Sequence, residues 1–343
     1  MSRRALTLVI AAVGVLAALA AATIPSVPYV ALTPGPTLNT LGARGGKPLI
    51  QITGRSTYPA RGHLNMVTVS FTGGPGSNFN IFAALRAWLS PNEAVVPERE
   101  IFTPGQSQRQ VLQQDTEQMV NSQQTATAAA LCQLGIGFST VDTVVATARG
   151  KPAYGVLRKG DVVIAVDGTP VNCHHDAATL IRARKPGAPV RLTIRRAART
   201  ETLRLATVSV QGQPAIGVGV AESFVFPFKV KISIGDIGGP SAGLMFALAI
   251  IDKLTPANLT AGRFIAGTGE IEADGTVDPI GGIQQKMAGA RAAGATIFLT
   301  PAQNCPDTSG AVPAGLRVVK VSNLSGAIRD LRAIKKGQPV PSC

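Results

Sequence analysis

One serine lies in a glycine-rich stretch directly ahead of a strongly apolar run, where its hydroxyl could act as a nucleophile. The stretch covers residues 235–243 (GDIGGPSAG), and Ser241 is the serine. The run from Leu244 to Ile251 predicts a buried helix, and Pro240 suits its first turn because the missing N–H of proline is not needed there. The N–H groups and the positive dipole of a helix start could stabilise negative charge on an attacked carbonyl oxygen. On this pattern alone, a helix cap explains Ser241 better than a nucleophile does.

A serine hydroxyl needs a base to activate it, and the sequence excludes the base of one large enzyme class. The pattern Gly239-x-Ser241-x-Gly243 matches the nucleophile elbow of α/β-hydrolases, which requires a histidine later in the chain. The histidines all precede the serine; they are His63, His174 and His175. Lysine remains as the candidate base.

Lys286 is the best-placed of the downstream lysines. Lys253 lies on the same predicted helix as Ser241, about 18 Å away at 1.5 Å per residue. Lys286 instead follows a second Gly-Gly turn, at the start of another predicted helix. A helix start and apolar neighbours disfavour a charged amine, so we expect its pKa to fall from about 10.4 toward a range where the neutral form accepts a proton. Without its pairing to Ser241, Lys286 would be interpreted as a solvated helix residue.

Four motifs in the second half of the chain occur in the order found in one protease family. They are GPSAG at 239–243, GTGEI at 267–271, GTVD at 275–278, and PIGG at 279–282 followed by Lys286. From about Val218 to Ile334 the sequence resembles the proteolytic domain of Lon proteases. The resemblance implies that Ser241 is the nucleophile, Lys286 its general base and Thr268 a hydroxyl near the lysine, with Gly239 and Pro240 in support.

The sequence departs from the Lon pattern at one position near the serine. Many Lon enzymes carry an acidic residue three positions before the serine, where this chain has Gly238. Asp236 lies nearby, and its role is left open.

A different pattern occupies residues 134–212, between the two parts of the Lon-like region. The glycine-rich GIGF at 135–138, a strand to Ala148, the segment GVLRKGDVVIAVDGTPV at 155–171, a helix from His175 and two further strands together resemble a PDZ domain. The resemblance implies that an extended peptide adds to a sheet edge. Gly135, Ile136, Gly137 and Phe138 would capture its carboxylate, and His175 would meet a peptide side chain. Alternatively, the glycines only end a helix and His175 is a solvated cap residue.

Strand and helix patterns around this segment complete a discontinuous α/β (α+β) protease domain. Residues 64–71 alternate as a strand does, Gln106 to Leu134 predicts a long helix, and strands alternate with helices beyond residue 213. The predicted divisions are an N-terminal transmembrane anchor at 1–25, the first part of the Lon-like domain at 26–133, a PDZ domain at 134–212, the Lon-like catalytic domain at 213–336 and a tail at 337–343.

The N-terminus predicts a membrane anchor. Two arginines, Arg3 and Arg4, precede an uncharged run from Ala5 to Ile24, which would span about 30 Å as a helix, enough to cross a bilayer. The arginines should stay inside, leaving the catalytic domain on the extracytoplasmic side of the cell membrane. Residues 18–20 (ALA) also fit a signal-peptidase site, so cleavage of this segment is left open.

Composition limits the partners. The 343 residues carry a net charge of +14, yet only 15% are charged and 4% are aromatic, and the basic residues are scattered. We therefore expect no nucleic-acid partner. Gly46-Lys47 and Gly150-Lys151 lack the rest of a Walker A motif, so we expect no ATP. The cysteines have no metal-ligand spacing, and we expect no metal and no cofactor.

The four cysteines permit several disulfide arrangements. Cys305 with Cys343 would fix the C-terminal tail, and Cys132 with Cys173 would lie within the middle region. Three pairings are available in all, and free buried thiols are an equal alternative.

Together these patterns resemble the PDZ-containing Lon-like proteases of bacterial envelopes. They predict an ATP-independent, membrane-anchored serine endopeptidase with a Ser–Lys dyad, which cleaves unfolded or flexible envelope proteins with PDZ-assisted recognition. Lon domains commonly form rings, so the resemblance allows a homo-hexamer. One alternative is a catalytically inactive PDZ scaffold or adaptor at the membrane, which Gly238 favours. Another is a protein that processes only its own copies.

Overall fold

The computed structural model describes residues 3–23, 26–256 and 258–343. Up to residue 133, the chain forms an N-terminal helix, several strands, short helices and one long helix. They are α1 (Arg3–Thr23), β1 (Tyr29–Asn39), β2 (Ala43–Arg44), β3 (Lys47–Pro48), β4 (Ile50–Thr53), β5 (His63–Gly73), α2 (Ile81–Trp88), β6 (Ala94–Pro97), α3 (Glu98–Ile101) and α4 (Gln108–Gln133).

The middle of the chain is mostly strand. Its elements are β7 (Ser139–Thr147), β8 (Val162–Val166), β9 (Thr169–Pro170), α5 (Ala177–Arg182), β10 (Pro189–Arg196), β11 (Arg199–Ala206), β12 (Val208–Val210), β13 (Gln213–Ala215) and β14 (Val218–Val225).

The last third alternates strands with helices. Its elements are β15 (Lys229–Ile232), α6 (Gly243–Leu254), β16 (Phe264–Gly267), β17 (Glu270–Ile271), β18 (Val277–Asp278), α7 (Ile283–Ala292), β19 (Ile297–Pro301), α8 (Cys305–Thr308), β20 (Arg317–Val321) and α9 (Leu324–Lys335).

Strands from both ends of the chain build one mixed six-stranded sheet, in the order β20-β19-β16-β5-β1-β6. The pairs β20–β19, β19–β16 and β16–β5 are parallel, and the helices between them supply the crossover connections that parallel strands require. β1 pairs antiparallel with β5 and with β6. Residues before and after the middle segment therefore share one sheet, which is the α/β arrangement of a discontinuous domain.

Helix α6 is the centre of the apolar core beside the first sheet. Its residues from Gly243 to Asp252 are buried, and it belongs to the same apolar cluster as Met119 on α4 and Leu331 on α9. Burying each Leu, Ile, Phe or Met side chain of such a helix contributes about 1.5–3 kcal/mol. The end of the loop before α6 is therefore held in a fixed position.

Helix α4 matches the predicted long helix and starts with a clear signal. The Ser107 side chain accepts a hydrogen bond from the Gln110 N–H, and the Gln110 side chain returns to the Ser107 N–H, which is a capping box. The helix packs on α6. It therefore brings polar side chains of a separate segment to the region ahead of α6.

The middle segment forms a second sheet in the order β11-β10-β8-β7-β14. Its core contains Val144, Leu192 and Ile181 among others. Strand β14 lies beyond the predicted domain boundary at residue 212 and yet pairs with β7 along its whole length, from Val218 opposite Thr147 to Val225 opposite Ser139. The sheet therefore extends past that boundary.

The predicted membrane anchor is wrong. In residues 3–23, 26–256 and 258–343, no helix combines the length and the apolar character that crossing a bilayer requires. This finding contradicts both the transmembrane helix and the single-pass location in the cell membrane. Helix α1 begins at Arg3 and so includes two arginines, and much of it is alanine, whose small side chain buries little apolar surface. Four residues of the predicted anchor lie outside the described residues: Met1, Ser2, Ile24 and Pro25.

Two disulfides join the four cysteines. Cys132 at the end of α4 bonds to Cys173 in the second sheet's domain, and Cys305 on α8 bonds to Cys343 in the tail. This is one of the three available pairings. The tail also contacts the first sheet, since Val319 and Ser342 form a β-bridge and the Lys320 N–H donates to the Pro341 carbonyl at 3.1 Å.

Removing the disulfide between Cys305 and Cys343 should destabilise the domain that contains the first sheet. The disulfide joins two cysteines with a sequence separation of 38. A disulfide that closes a loop of this length stabilises a fold by about 2–4 kcal/mol, chiefly by restricting the unfolded chain. We expect the double variant Cys305→Ser/Cys343→Ser to lose free energy of unfolding in that range in a urea titration. The same change at Cys132 and Cys173 is the comparison, and an unchanged urea midpoint for the first variant would contradict the prediction.

Candidate active site

Ser241 lies on a turn immediately ahead of α6. The helix begins at Gly243, and the Met245 and Phe246 N–H groups both donate to the Ala242 carbonyl at 3.0 Å. Pro240 thus precedes the helix instead of lying in its first turn as predicted. The turn around Ser241 is half-buried, so the hydroxyl sits at the end of a rigid core helix and still borders open space.

The segment Thr268-Gly269 fixes the backbone of Ser241. The Ser241 carbonyl accepts hydrogen bonds from the Gly269 N–H at 2.8 Å and from the Thr268 hydroxyl at 2.9 Å. The Leu244 N–H donates back to the Gly269 carbonyl at 3.0 Å. A Cβ at Gly269 would lie 2.8 Å from Val277, so only glycine allows this approach. Thr268 itself is completely buried.

Lys286 reaches the same threonine from α7. That helix starts at Ile283, after Gly282 in the left-handed conformation. The Lys286 side chain is only 4% exposed, and its Nζ donates to Thr268 Oγ1 at 3.2 Å. Thr268 therefore accepts from Lys286 while it donates to Ser241, which uses its single hydroxyl proton and one lone pair.

Burial lowers the pKa of Lys286 to about 7. The direction agrees with the expectation from sequence, and the cause is loss of hydration of the ammonium, since no neighbouring charge offsets it. About half of the amine is then neutral at pH 7. A neutral amine can accept a proton, as a general base must.

Ser241 and Lys286 both line one cleft, although no hydrogen bond joins the Ser241 hydroxyl to Nζ among the described residues. Catalytic hydrogen bonds are often long in a free enzyme and shorten when substrate binds. The pairing of the two side chains stays a prediction. Thr268 is the group that links them in this structure.

The cleft has a volume of about 560 Å³. One wall is β5 from Met66 to Phe71, and the opposite wall is the first half of α4 with the serine turn. Gly281 and Gly282 close it beside the lysine. Strand β16 pairs with β5 only from His63 to Met66, so β5 continues into the cleft beyond its parallel neighbour.

Helix α4 holds the serine turn from the other side. The Gly239 N–H donates to the Asp115 carbonyl at 3.0 Å, and the Ser122 hydroxyl donates to the Pro240 carbonyl at 2.8 Å. The Gly239 N–H is thereby already used. Sequence reasoning identified α4 as a helix but missed both residues, because nothing in the sequence relates them to a turn that follows more than a hundred residues later.

Gly238 is packed against Asp115. A Cβ at Gly238 would lie 2.5 Å from the Asp115 Cβ, so the space that a side chain would need there is filled by α4. The Asp115 side chain lines the cleft, and burial raises its pKa. An acidic group therefore does border the serine turn, and it comes from a different element than in the family pattern. Asp236 also lines the cleft.

The residues predicted to capture a peptide carboxylate lie between the end of α4 and the start of β7. Gly135 and Ile136 end α4, since the Gly135 N–H donates to the Cys132 carbonyl at 3.0 Å and the Ile136 N–H to the Leu131 carbonyl at 2.9 Å. These bonds form a Schellman motif. Gly135 and Ile136 therefore take part in the helix stop, and capture of a peptide carboxylate by these residues stays a prediction. Gly137 follows the motif with open space around its Cα.

Phe138 and His175 have different surroundings. Phe138 packs against the rings of Phe224 and Phe226, with centroids 5.9 and 5.5 Å away. His175 is exposed one residue before Asp176, the N-cap of α5, and its backbone N–H donates to the Asn172 side chain at 3.1 Å. A peptide-binding role for these residues stays a prediction.

Strand β7, which follows Phe138, has a neighbour at both edges. It pairs with β14 on one side and with β8 on the other. Strand β14 pairs only with β7 and strand β11 only with β10, so these two are the edge strands of this sheet in the described part of the chain. A peptide that adds to the sheet on the side of β7 would therefore have to use β14.

A cysteine–histidine group near this sheet does not offer a metal site. Cys132, Cys173 and His174 lie close together, with Cys132 Sγ 3.3 Å from His174 Nε2. Both sulfurs belong to one disulfide, so neither is a thiolate that could bind a metal.

Two family profiles match separate parts of the chain. Residues 229–330 match the Lon protease (S16) C-terminal proteolytic domain. The chain contains a Lon-type proteolytic domain. Residues 132–207 match the PDZ domain, so a PDZ domain precedes it. The matched range includes Ser241, Thr268 and Lys286.

Lon proteases are similar over short segments. The Lon protease of Heliobacterium modesticaldum is 35% identical over 132 residues, which is 36% of this chain and 15% of that protein. Lon protease 1 of Bacillus subtilis is 38% identical over 89 residues, which is 25% of this chain and 11% of that protein. This chain therefore matches only a small fraction of either relative.

A solved structure resembles the middle segment. The PDZ domain of the SdrC-like protein Lin2157 from Listeria innocua is 22% identical, covers 23% of this chain and 92% of that one, and has a TM-score of 0.22.

Gly238 should not tolerate a side chain. We expect Gly238→Ala to lose about 1–3 kcal/mol of stability, because its Cβ overlaps Asp115 and separates α4 from the serine turn. The matched control is Gly281→Ala, which lines the same cleft but has nothing within 4 Å of its new methyl group. Thermal unfolding of both variants measures the difference, and equal melting temperatures would show that the contact is not tight.

Proposed function

We propose that this chain is a serine endopeptidase in which Ser241 is the nucleophile and Lys286 its general base. The observation that carries the proposal is the shared threonine. Thr268 bonds to the backbone of Ser241 and to the buried amine of Lys286, so one side chain positions both groups at the same cleft. Lysine in this setting can be neutral near pH 7 because burial lowers its pKa.

The reaction follows from these positions. Neutral Lys286 takes the proton of Ser241 while Oγ attacks the peptide carbonyl, and the resulting ammonium then protonates the leaving amine. The acyl-enzyme is hydrolysed by a water that Lys286 deprotonates. Thr268 holds the amine in place throughout. Because the Ser241 and Ala242 N–H groups have no hydrogen-bond partner in the described residues, they are available to stabilise the oxyanion.

The cleft suits unfolded or flexible polypeptides. Its lining comes from β5, α4 and the serine turn, and we propose that an extended segment of the substrate binds along them. No Walker A motif occurs in residues 1–343, so we propose that this chain cleaves such substrates without hydrolysing ATP itself. The PDZ domain would recognise the substrate chain. A homo-hexamer, which the resemblance allows, stays a prediction.

Substitution of the two reacting side chains tests the proposal. We expect Ser241→Ala and Lys286→Met to reduce cleavage of denatured, fluorescein-labelled casein by about 10³-fold or more, because each removes a group that acts in the transition state. Thr268→Val should lose activity as well, and Thr268→Ser should retain most of it since the hydroxyl remains.

The controls are an exposed serine and an exposed lysine away from the cleft, Ser309→Ala and Lys320→Met. They should stay within about twofold of the unmodified protein. If the unmodified protein cleaves nothing, the alternative of an inactive PDZ scaffold gains support. If it cleaves but Lys286→Met does so equally well, Lys286 is not the base.

Activity should rise with pH through neutrality. The amine of Lys286 must be uncharged to act as a base, and its pKa is about 7. About one tenth of it is neutral at pH 6 and about nine tenths at pH 8, so kcat/KM should increase nearly tenfold over this interval and then level off. The rate of a peptide ester or amide measured from pH 5 to 9 gives the profile. An inflection near pH 10 would indicate a lysine that keeps its ordinary pKa.

A further inference from the structure

Two carboxylates face each other across β7 and β14. Asp142 and Glu222 are directly opposite in the antiparallel register, so their Cβ atoms are about 4.5–5.5 Å apart and point to the same face of the sheet. Like charges in such a pair destabilise it. An arrangement of this kind calls for a cation or a neutral form.

The Asp142 side chain is buried and only partly satisfied. It is 2% exposed, and its Oδ2 accepts a hydrogen bond from the Ala177 N–H at 3.0 Å. Its Oδ1 has no hydrogen-bond partner, and neither has the buried hydroxyl of Thr140, which lies two residues earlier on the same face of β7. A buried polar atom without a partner is destabilising, because it has lost its hydrogen bonds to water. These two oxygens are acceptors that the protein itself leaves unused.

The start of helix α5 lies beside this group of acceptors. Ala177 is its first residue, and Asp176 caps it by accepting from the Thr179 N–H. Loss of hydration and the negative charges of Asp142 and Asp176, together with Glu272 and Asp274 from the β17–β18 turn, raise the pKa of Glu222 to about 7. None of the ion pairs in the described residues involves Asp142, Asp176 or Glu222.

The group adjoins one of the two edges where a peptide can join the sheet in the described part of the chain. Glu222 is on β14, whose second edge carries no strand in the described part of the chain. An extended peptide that paired with this edge would lay alternate side chains toward the face that bears Glu222 and Asp142.

We propose that Asp142, Asp176 and Glu222, with Thr140, form a pocket for a lysine or arginine side chain of a polypeptide that pairs with the free edge of β14. The proposal rests on the peptide-recognising role given to the PDZ domain in the proposed function, and it specifies the substrate class. An ammonium or guanidinium supplies several donors to the unused oxygens and neutralises the facing carboxylates.

A metal ion fits the pocket less well than a side-chain cation. In the described residues, no three oxygens of Asp142, Asp176 and Glu222 lie within 4.8 Å of one another, as ligands of one ion would. A long, flexible side chain can contact carboxylates that are farther apart. The pocket is also acidic on a chain whose net charge is +14, so it attracts basic segments that the rest of the surface repels.

Selection from a random decapeptide library on the full chain tests the pocket. The chain carries Ser241→Ala so that bound peptides are not cleaved. We expect selected peptides to share one lysine or arginine position. In fluorescence polarisation, replacing that residue by norleucine should weaken binding about tenfold or more, because an ion pair and its hydrogen bonds are lost.

Reversing the charge at residue 222 distinguishes binding in the pocket from general electrostatic attraction to the protein surface. Glu222→Lys should weaken binding of the lysine peptide and strengthen binding of the same peptide carrying glutamate, since the charge facing the peptide is reversed at an exposed position. Glu117→Lys, an exposed acid on α4, is the matched control and should alter neither.

Each failure has its own meaning. Peptides that bind without a basic position, or with equal affinity for lysine and norleucine, overturn the pocket and leave the endopeptidase intact. A library from which no peptide binds overturns the pocket and the recognising role of the PDZ domain together. Cleavage of casein by the unmodified chain is measured independently and decides the proposed reaction.

Discussion

The site depends on keeping one amine out of water. A lysine that is almost fully buried loses the hydration that normally stabilises its charge, and the protein supplies no carboxylate to replace it. What it supplies instead is one neutral acceptor, Thr268, which is itself fixed to the carbonyl of Ser241. This arrangement fixes the position of the amine without supplying a negative charge that would stabilise its protonated form. The core around α6 and α7 provides the dry surroundings that make it effective.

The serine turn is positioned by elements that are distant in sequence. Thr268-Gly269 bonds to it on one side and α4 on the other, while α6 anchors its end in the core. The first sheet combines strands from both ends of the chain, so the two halves fold as one domain around the PDZ segment. A turn whose backbone is held from three directions has little freedom to move away from the cleft, which is the preorganisation that catalysis by positioning requires.

Parts of the candidate site and of the fold could be predicted from sequence where short-range patterns indicate them. The glycine motifs around Ser241 and Lys286, the apolar run of α6 and the capping signals of α4 are each short-range patterns. Contacts of Asp115 and Ser122 with the serine turn could not be predicted, because they depend on how α4 packs. The edge of the PDZ sheet was also beyond reach, since the pairing of β14 with β7 is a tertiary choice. The apolar N-terminal run predicted an anchor that the structure contradicts.

Helix α4 has a consequence for how the two domains can move. Asp115 and Ser122 touch the serine turn, and Cys132 at the far end is covalently joined to Cys173 beside α5. Some 25 Å of continuous helix separates Asp115 from Cys132 at 1.5 Å per residue. A helix of this length is stiff along its axis, so the turn that carries Ser241 and the PDZ domain are attached to the same rigid element. A displacement of either one along α4 is therefore opposed by the contacts of the other.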